Sequence, residues 1–402
     1  MKFALIKERK IPADPRVVFS PSKLVEAKKR FPKAIFRVES SAVRVFPDEA
    51  YSALGFEVTT NVSDCDVFIG IKEVPIQALI PNKKYIFFSH TIKKQPHNRA
   101  LLQAIIEKNI TLYDHETMVN QNGKRLIGFG KYAGIVGVYN GFRTWGLKYN
   151  TWQLPKASTL LNQEALLNAL KSIKLPNLKI LLTGNGKVAH AAKNMLDAME
   201  IREVLVNEYV NGSFNESVYC KIHVSDYNKH KGQKPFSSQD FYKNPENYES
   251  NFMRFAKVTD FFITGHFYAE GAPYLYTKAD VKSEDFNIKV VADISCDVAG
   301  PIATTIRASD IINPIYGYDK QTGAETNFKA KNAIAVMAVN NLPCEIPQDA
   351  SEGFGDMFLE HIMPAFFNQD ANGILERAKI TENGKLTKRF AYLQAYVDGK
   401  IH

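Results

Sequence analysis

"KILLTGNGKVAHAAKNML", residues 179–196, is the stretch on which the fold turns. Ile180, Leu181 and Leu182 make a short, uninterrupted apolar run, as a strand covered on both faces requires. Directly after it, Gly184-Asn185-Gly186-Lys187-Val188-Ala189 turns into a segment whose apolar residues recur at helical spacing. Strand, glycine turn and helix in that order are the building block of a parallel α/β sheet. The turn is the GxGxxA variant of the dinucleotide fingerprint. Gly184 permits the tight turn, and Gly186 lets the backbone reach a pyrophosphate at the positive end of the helix. Gly184, Asn185, Gly186, Lys187 and Val188 are therefore candidate cofactor contacts. The bland alternative is a tight strand-to-helix turn with no ligand.

Similar runs recur on both sides of this unit: "FALIK" (3–7), "DVFIGI" (66–71), "YIFFSH" (85–90), "DFFITG" (260–265) and "KVVADIS" (289–295). Their alternation with helical patterns predicts two doubly wound, Rossmann-like α/β lobes around a cleft. At 402 residues the chain exceeds what one core usually serves. The expected division is a substrate and catalytic lobe from residues 1–140 plus 330–402, and a dinucleotide-binding lobe over 141–329. Between them "GKYAGIVGVYNGFRTWGLKY" (130–149) reads as a helix joining the lobes, with glycines 130, 134, 137 and 141 spaced for close approach of another helix. Near the C-terminus "SEGFGDMFLEHIMP" offers Ser351 as an N-cap, with Phe354, Met357, Phe358 and Ile362 on one face returning to the first lobe.

The acid that reads the cofactor ribose is open in the sequence. The usual offset of about twenty residues falls near Glu208. "VYCKIHVSDYNKHKG" (218–232) is an equally good strand and ends on Asp226, with Lys229, His230 and Lys231 behind it. An acid there favours NAD, whereas basic residues could hold the extra phosphate of NADP.

A hydrophobic fraction of 45% with 23% charged residues is that of an ordinary globular protein. No run reaches the roughly 18 uncharged apolar residues that a membrane span needs, and "MKFALIKERKIP" makes no signal peptide. A cytoplasmic protein is expected. The net charge of +9 is scattered rather than gathered into a basic block, which argues against nucleic acid. Cys65, Cys220, Cys296 and Cys344 form no CxxC pair, so neither a metal site nor a disulfide framework is expected.

A polar cluster gathers at the strand ends of the first lobe. "GIKEVP" places Lys72 and Glu73 just past one strand, and "FFSHTIKK" places His90 and Lys93 just past the next. Asp114 and Glu116 follow in "LYDHETM", Arg125 in "GKRLIGFG", and Arg16 in "ADPRVVFSP". If the strands are adjacent and parallel, these side chains share one sheet edge. Lysine beside carboxylates and histidine suits proton transfer near neutral pH, because burial and neighbouring charge tune both bases.

"KYIFFSHTIKKQPHNRALL", "LYDHETMVNQNGKRLIGFGKYAGIVG" and "VVADISCDVAGPI" resemble the lysine-forming saccharopine dehydrogenases, and especially the lysine 2-oxoglutarate reductase half of aminoadipic semialdehyde synthase. The likeness extends through "FSSQDFYKNPENYESNF", "APYLYTKADV" and "NNLPCEIPQDASEGFGDM". Alanine dehydrogenase and transhydrogenase share the architecture and a lysine-histidine pair. The resemblance implies an NAD- or NADP-linked reaction in which lysine and 2-oxoglutarate form an imine that hydride reduces to saccharopine. It puts Lys72 and His90 at the acid/base positions and Glu73 and Glu116 at the neighbouring acids. Arg16, Lys93 and Arg125 fall where cations hold substrate carboxylates, and Asp293 falls near the nicotinamide end.

Two departures stand out. Glu73 follows the lysine where the reductase half often has arginine, and Asn340-Asn341-Leu342-Pro343 stands where relatives read Asp-Asn-Leu-Pro. Residues up to 402 leave no room for a second, glutamate-forming domain, so the next step is expected on another chain. The implied partners are small molecules, with a homo-oligomer possible. Rival readings are another amine and oxo-acid pair, as in alanine dehydrogenase or an N-carboxyalkyl amino acid synthase, and a non-catalytic nucleotide sensor.

Overall fold

The computed structural model describes residues 1–269 and 271–400; residues 401 and 402, expected in the first lobe, lie outside the described residues. The chain forms two compact units. Unit 1 combines Met1–Phe129 with the segment from Pro347 onward, and unit 2 is Gly130–Ile346. Each carries an eight-stranded sheet. Relative to the expected division at 140 and 330, the whole glycine-rich helix and residues 330–346 fall in unit 2.

In unit 1, β1 (Lys2–Leu5), β2 (Ile35–Glu39), β3 (Glu57–Thr59), β4 (Val67–Ile69), β5 (Lys84–Phe87) and β6 (Thr111–Asp114) are all parallel. Side chains alternate between two cores. Phe3, Leu5, Ile69 and Ile86 join one core, while Ala4, Phe68, Tyr85 and Phe87 join the other. That two-sided burial explains the uninterrupted apolar runs.

Unit 2 contributes β7 (Lys179–Thr183), β8 (Arg202–Glu203), β9 (Val218–Ile222), and a separate hairpin of β10 (Asn228–His230) and β11 (Tyr248–Ser250). It continues with β12 (Phe261–Thr264), β13 (Val290–Asp293), β14 (Ile315–Asp319), β15 (Glu325–Thr326) and β16 (Ala333–Met337). Its main sheet has the order β15-β14-β16-β13-β12-β7-β9-β8, with β14 and β15 antiparallel. The chain then returns to unit 1 and adds β17 (Lys379–Glu382) and β18 (Lys385–Leu386), giving the order β18-β17-β6-β5-β4-β1-β2-β3. The C-terminal segment therefore completes unit 1 with strands as well as helices. No helix among the described residues is long and apolar enough to cross a membrane.

Two sequence expectations change in detail. Helix α1 (Gly130–Tyr149) does use its glycines for close approach, but on two kinds of partner. A Cβ on Gly134 would lie 2.3 Å from the Val188 carbonyl oxygen of helix α2 (Lys187–Ala198). On Gly137 and Gly141 it would strike side chains of Ile294 and Phe261, so only the first pair of glycines admits a helix. Ser351 is not an N-cap: helix α3 (Pro347–Met357) begins four residues earlier. The buried Ser351 hydroxyl accepts from the Val17 amide and donates to the Pro347 carbonyl, pinning this helix to the segment after β1. Phe354, Phe358 and Ile362 enter the unit 1 core as expected, with Met357 packed at its edge.

Unit 2 holds a buried acid. Asn140 on α1 donates to Glu345 Oε1 at 2.7 Å. Burial lifts Glu345 from an ordinary 4.5 to about 7, against the pull of Asn140, Arg143, the Ser158 amide and Lys156. An acid raised in the folded state supports stability fully below 4.5 and loses that support as pH rises through 7. Glu345→Gln, which keeps an acceptor for Asn140, is expected to remove a pH-dependent loss on the order of 3 kcal/mol between those limits. Unfolding midpoints of both proteins across pH 4 to 8, compared as a difference, test this.

Candidate active site

Strand order settles where the polar residues of unit 1 stand. β4 and β5 are adjacent and parallel, as are β5 and β6, and β1 flanks β4 on its other side. The chain leaves all four strands at the same edge. Lys72 and Glu73 follow β4, His90 and Lys93 follow β5, Asp114 closes β6, and the segment carrying Arg16 follows β1.

The Glu8 carboxylate accepts from the Ile71 amide at 2.6 Å and the Lys72 amide at 2.9 Å, which ties the loop after β4 to that after β1. Burial raises Glu8 to about 7, despite those amides. Lys72 is itself lowered from its ordinary value, first by burial and then by the Arg16 charge, with Asp14 opposing. A lysine pushed this way keeps more of its neutral, proton-accepting form near neutral pH. Arg16 is buried and forms a two-point pair with Asp14 (2.9 and 2.6 Å), its guanidinium 4.2 Å from the Phe129 ring centre. Burial works against the ionised form of Asp14, yet the arginine holds it down at about 2.

His90 takes a left-handed backbone conformation (φ +54°), which non-glycine residues adopt at a cost that functional sites tend to carry. Its Nδ1 lies 2.5 Å from Glu73 Oε1, and Lys10 donates to Glu73 Oε2 at 2.9 Å. Burial pushes Glu73 up, but these two partners hold it near 2. Glu73 is thus the acceptor and His90 Nδ1–H the donor. Beside this group Lys93 pairs with Glu116 at 3.3 Å, and Arg125 stands 3.8 Å from the same oxygen. The other Glu116 oxygen is buried and has no hydrogen-bond partner among the described residues.

Asp114 proves to be structural. Its carboxylate accepts from the Ser89 amide at 2.9 Å, the Ser89 hydroxyl and the Glu116 amide, so it braces the ends of β5 and β6. Glu8, Lys10 and Asp14 belong to the cluster, although their pattern did not single them out. "KERKIPADPR" follows β1 just as the chosen residues follow β4 and β5, and the same strand-end argument reaches them. His115 is also part of the surroundings: buried, held neutral at about 3 by burial, and donating Nε2–H to the Gly70 carbonyl at 2.9 Å.

The glycine turn of unit 2 borders a cavity of about 680 Å³. Gly184, Asn185, Gly186, Lys187 and Val188 line it with His223, Val224, Ser225, Tyr227 and residues 265–267. Gly184 has φ +107°, and a Cβ there would stand 2.3 Å from the Gly265 carbonyl oxygen. A Cβ on Gly186 would meet nothing within 4 Å, leaving open space above the turn. The buried His266 ring lies 2.7 Å from Thr183 Oγ1 through Nδ1, and its Nε2 has no partner among the described residues. A roomy cavity, an open glycine turn at the start of a twelve-residue helix and a spare buried ring nitrogen fit a dinucleotide.

Asp226 and Asp293 do not line this cavity. Asp226 accepts from the His223 amide at 2.7 Å. Asp293, buried at the end of β13, is saturated by Thr264, Ser295, the Cys296 amide and Thr305. Lys229 pairs with Glu249, and Lys231 donates to the Glu246 carbonyl, both at the β10–β11 hairpin.

Two α/β units, one with a lysine-histidine pair at a sheet edge and one with a dinucleotide-sized cavity over a glycine turn, define a Rossmann-like scaffold of the alanine dehydrogenase type. The chain superposes on an L-alanine dehydrogenase with a TM-score of 0.66, covering 99% of both chains at 16% identity. Residues 4–136 match the family model described as alanine dehydrogenase/PNT, N-terminal domain. Among relatives in sequence, the Arabidopsis thaliana alpha-aminoadipic semialdehyde synthase is 28% identical over 397 residues, which cover 89% of this chain and 37% of that protein. A Yarrowia lipolytica saccharopine dehydrogenase (NAD(+), L-lysine-forming) is 23% identical over 81% of this chain and 82% of its own. The resemblance read from the sequence thus recurs in the relatives' names. The chain spans well under half the length of the plant relative.

Proposed function

We propose that the protein is a lysine-forming saccharopine dehydrogenase, joining lysine and 2-oxoglutarate reversibly into saccharopine with NAD(P)H as reductant. In this reading unit 1 is the substrate and catalytic unit and unit 2 holds the dinucleotide. The observation that carries it is a lowered lysine and a histidine fixed by an ionised glutamate at one sheet edge, with Arg16, Lys93 and Arg125 on the loops of that edge. Saccharopine has three carboxylates, so a cationic surround is a chemical requirement.

Lys72, its ammonium disfavoured by burial and the Arg16 charge, takes the proton that the ε-amine of substrate lysine must lose before its nitrogen attacks the oxo carbon. The C–N bond forms as the carbonyl π bond breaks, and the oxo oxygen takes a proton from the attacking nitrogen to become a hydroxyl. His90, oriented through Nδ1 by Glu73, gives a proton from Nε2 as that hydroxyl leaves as water, which yields the imine. The dihydronicotinamide, when bound, supplies the hydride that reduces the imine carbon. Arg16, Lys93 and Arg125 hold the carboxylates, and Glu116 sets the charge between the last two. Gly184–Val188 cradle the pyrophosphate. Asp226 acts through the backbone after β9 and Asp293 through the braced end of β13, as positioning residues for the cofactor.

The assay is loss of reduced-nicotinamide absorbance with purified protein, lysine and 2-oxoglutarate, omitting each in turn. Consumption that needs both substrates is the expected result. A protein that binds the dinucleotide yet consumes none with this pair, but does so with another amine and oxo acid, would replace the substrate assignment and keep the scaffold.

A further inference from the structure

Ligand preference at the second unit can be read from the end of β9. In a doubly wound sheet the strand beside the glycine-turn strand carries, at its C-terminal end, the group that meets the 2′ oxygen of the adenosine ribose. β9 is that neighbour of β7, paired in parallel from Lys179↔Val218 to Thr183↔Ile222. Past Ile222 the cavity is lined by His223, Val224 and Ser225. None of the described residues lining the cavity is acidic. The nearest acid in sequence, Asp226, accepts from the His223 amide, and Arg254 donates to its carbonyl at 2.9 Å. Lys221 reaches from β9 to the glycine turn, its ammonium 3.1 Å from Asn185 Oδ1. His223 and Ser225 are exposed to the cavity solvent.

We infer that unit 2 selects a 2′-phosphorylated dinucleotide, NADP(H) over NAD(H), with Lys221, His223 and Ser225 as the phosphate-holding set. The inference rests on the reading of unit 2 as a dinucleotide site. A free 2′,3′-diol is best met by a carboxylate accepting both hydroxyls, and no described residue of the cavity wall supplies one. A phosphate needs donors and positive charge, and an ammonium, an imidazole and a hydroxyl stand where the strand ends. The basic residues 229–231 are not the holders, since they are spent on the hairpin outside the cavity.

Equilibrium binding to the full chain tests this without turnover. Dihydronicotinamide fluorescence gives Kd for NADPH and NADH, and calorimetry gives Kd for 2′,5′-ADP and 5′-AMP. Two or three solvent-exposed hydrogen bonds, each of ordinary net strength, predict about 10- to 100-fold tighter binding of the 2′-phosphorylated member of each pair. The preference should weaken with salt. Ser225→Asp should invert it, and Lys221→Ala combined with His223→Ala should reduce NADPH affinity far more than NADH affinity. NADH bound as tightly as NADPH, or a preference untouched by these variants, overturns the inference while leaving the dinucleotide site intact. Binding of none of the four ligands overturns the site and the inference together.

Discussion

Lys72→Met is expected to lower kcat for the proposed reaction by about 10²- to 10⁴-fold, the range of a lost general acid/base group. Methionine preserves the length and apolar stem of the lysine, and the Glu8 contacts run to the backbone amides of Ile71 and Lys72, so the loop keeps its anchors. The direction of the stability change separates a catalytic from a structural role. The fold disfavours the Lys72 ammonium, through burial and the Arg16 charge, so below its lowered value the charged form costs stability. The variant should therefore unfold at the same temperature as the parent or higher at neutral pH, while its turnover collapses and its dinucleotide Kd is unchanged. A loss of activity that tracks a loss of folding would return Lys72 to a structural role. His90→Ala should cost a comparable factor, and the double variant little more than either alone, because the two groups serve one proton path.

Gly134→Val should give the largest loss of stability. A Cβ at this position would sit 2.3 Å from the Val188 carbonyl oxygen, 2.9 Å from Ala191 Cβ and 3.1 Å from the Ala192 amide nitrogen. These are mostly backbone atoms of α2, which yield only if the two helices separate. Overpacking of a tight core costs about 1–3 kcal/mol and sometimes more, so a loss near or above the top of that range is expected in denaturant unfolding. Since α2 starts at the glycine turn, dinucleotide affinity should fall with stability. Gly186→Ala is the control: its Cβ has open space and its backbone (φ −93°) suits alanine, so stability should hold. Equal losses in both variants would show that glycine content rather than helix approach sets the tolerance.

Much of the architecture was legible because it follows from local patterns. Six apolar runs announced six of the strands, since strands buried on both faces cannot be polar. The shorter or more polar strands, such as β3 and β15, carry no such signal. Ser351 failed as an N-cap because its hydroxyl is claimed by the Val17 amide, more than 300 positions away in sequence. At the site, residue type and strand-end position were enough to select Lys72, Glu73, His90, Lys93, Glu116, Arg125 and Arg16, but Glu8, Lys10 and Asp14 gained their meaning from strand adjacency.

From its residues alone this chain is a two-part α/β protein with a dinucleotide-type turn and a polar cluster at the strand ends of the other part, because apolar periodicity and glycine placement are properties of short segments. Which carboxylate meets a histidine and which is held by amides and hydroxyls was decided in three dimensions. Asp114, Asp226 and Asp293 read in sequence as free acids at strand ends, yet each is engaged by amides or hydroxyls. Glu73 reads as an ordinary loop acid, yet it orients His90. The physical reason is that a carboxylate's role depends on which donors reach it, and the order of strands in the sheet determines which donors those are.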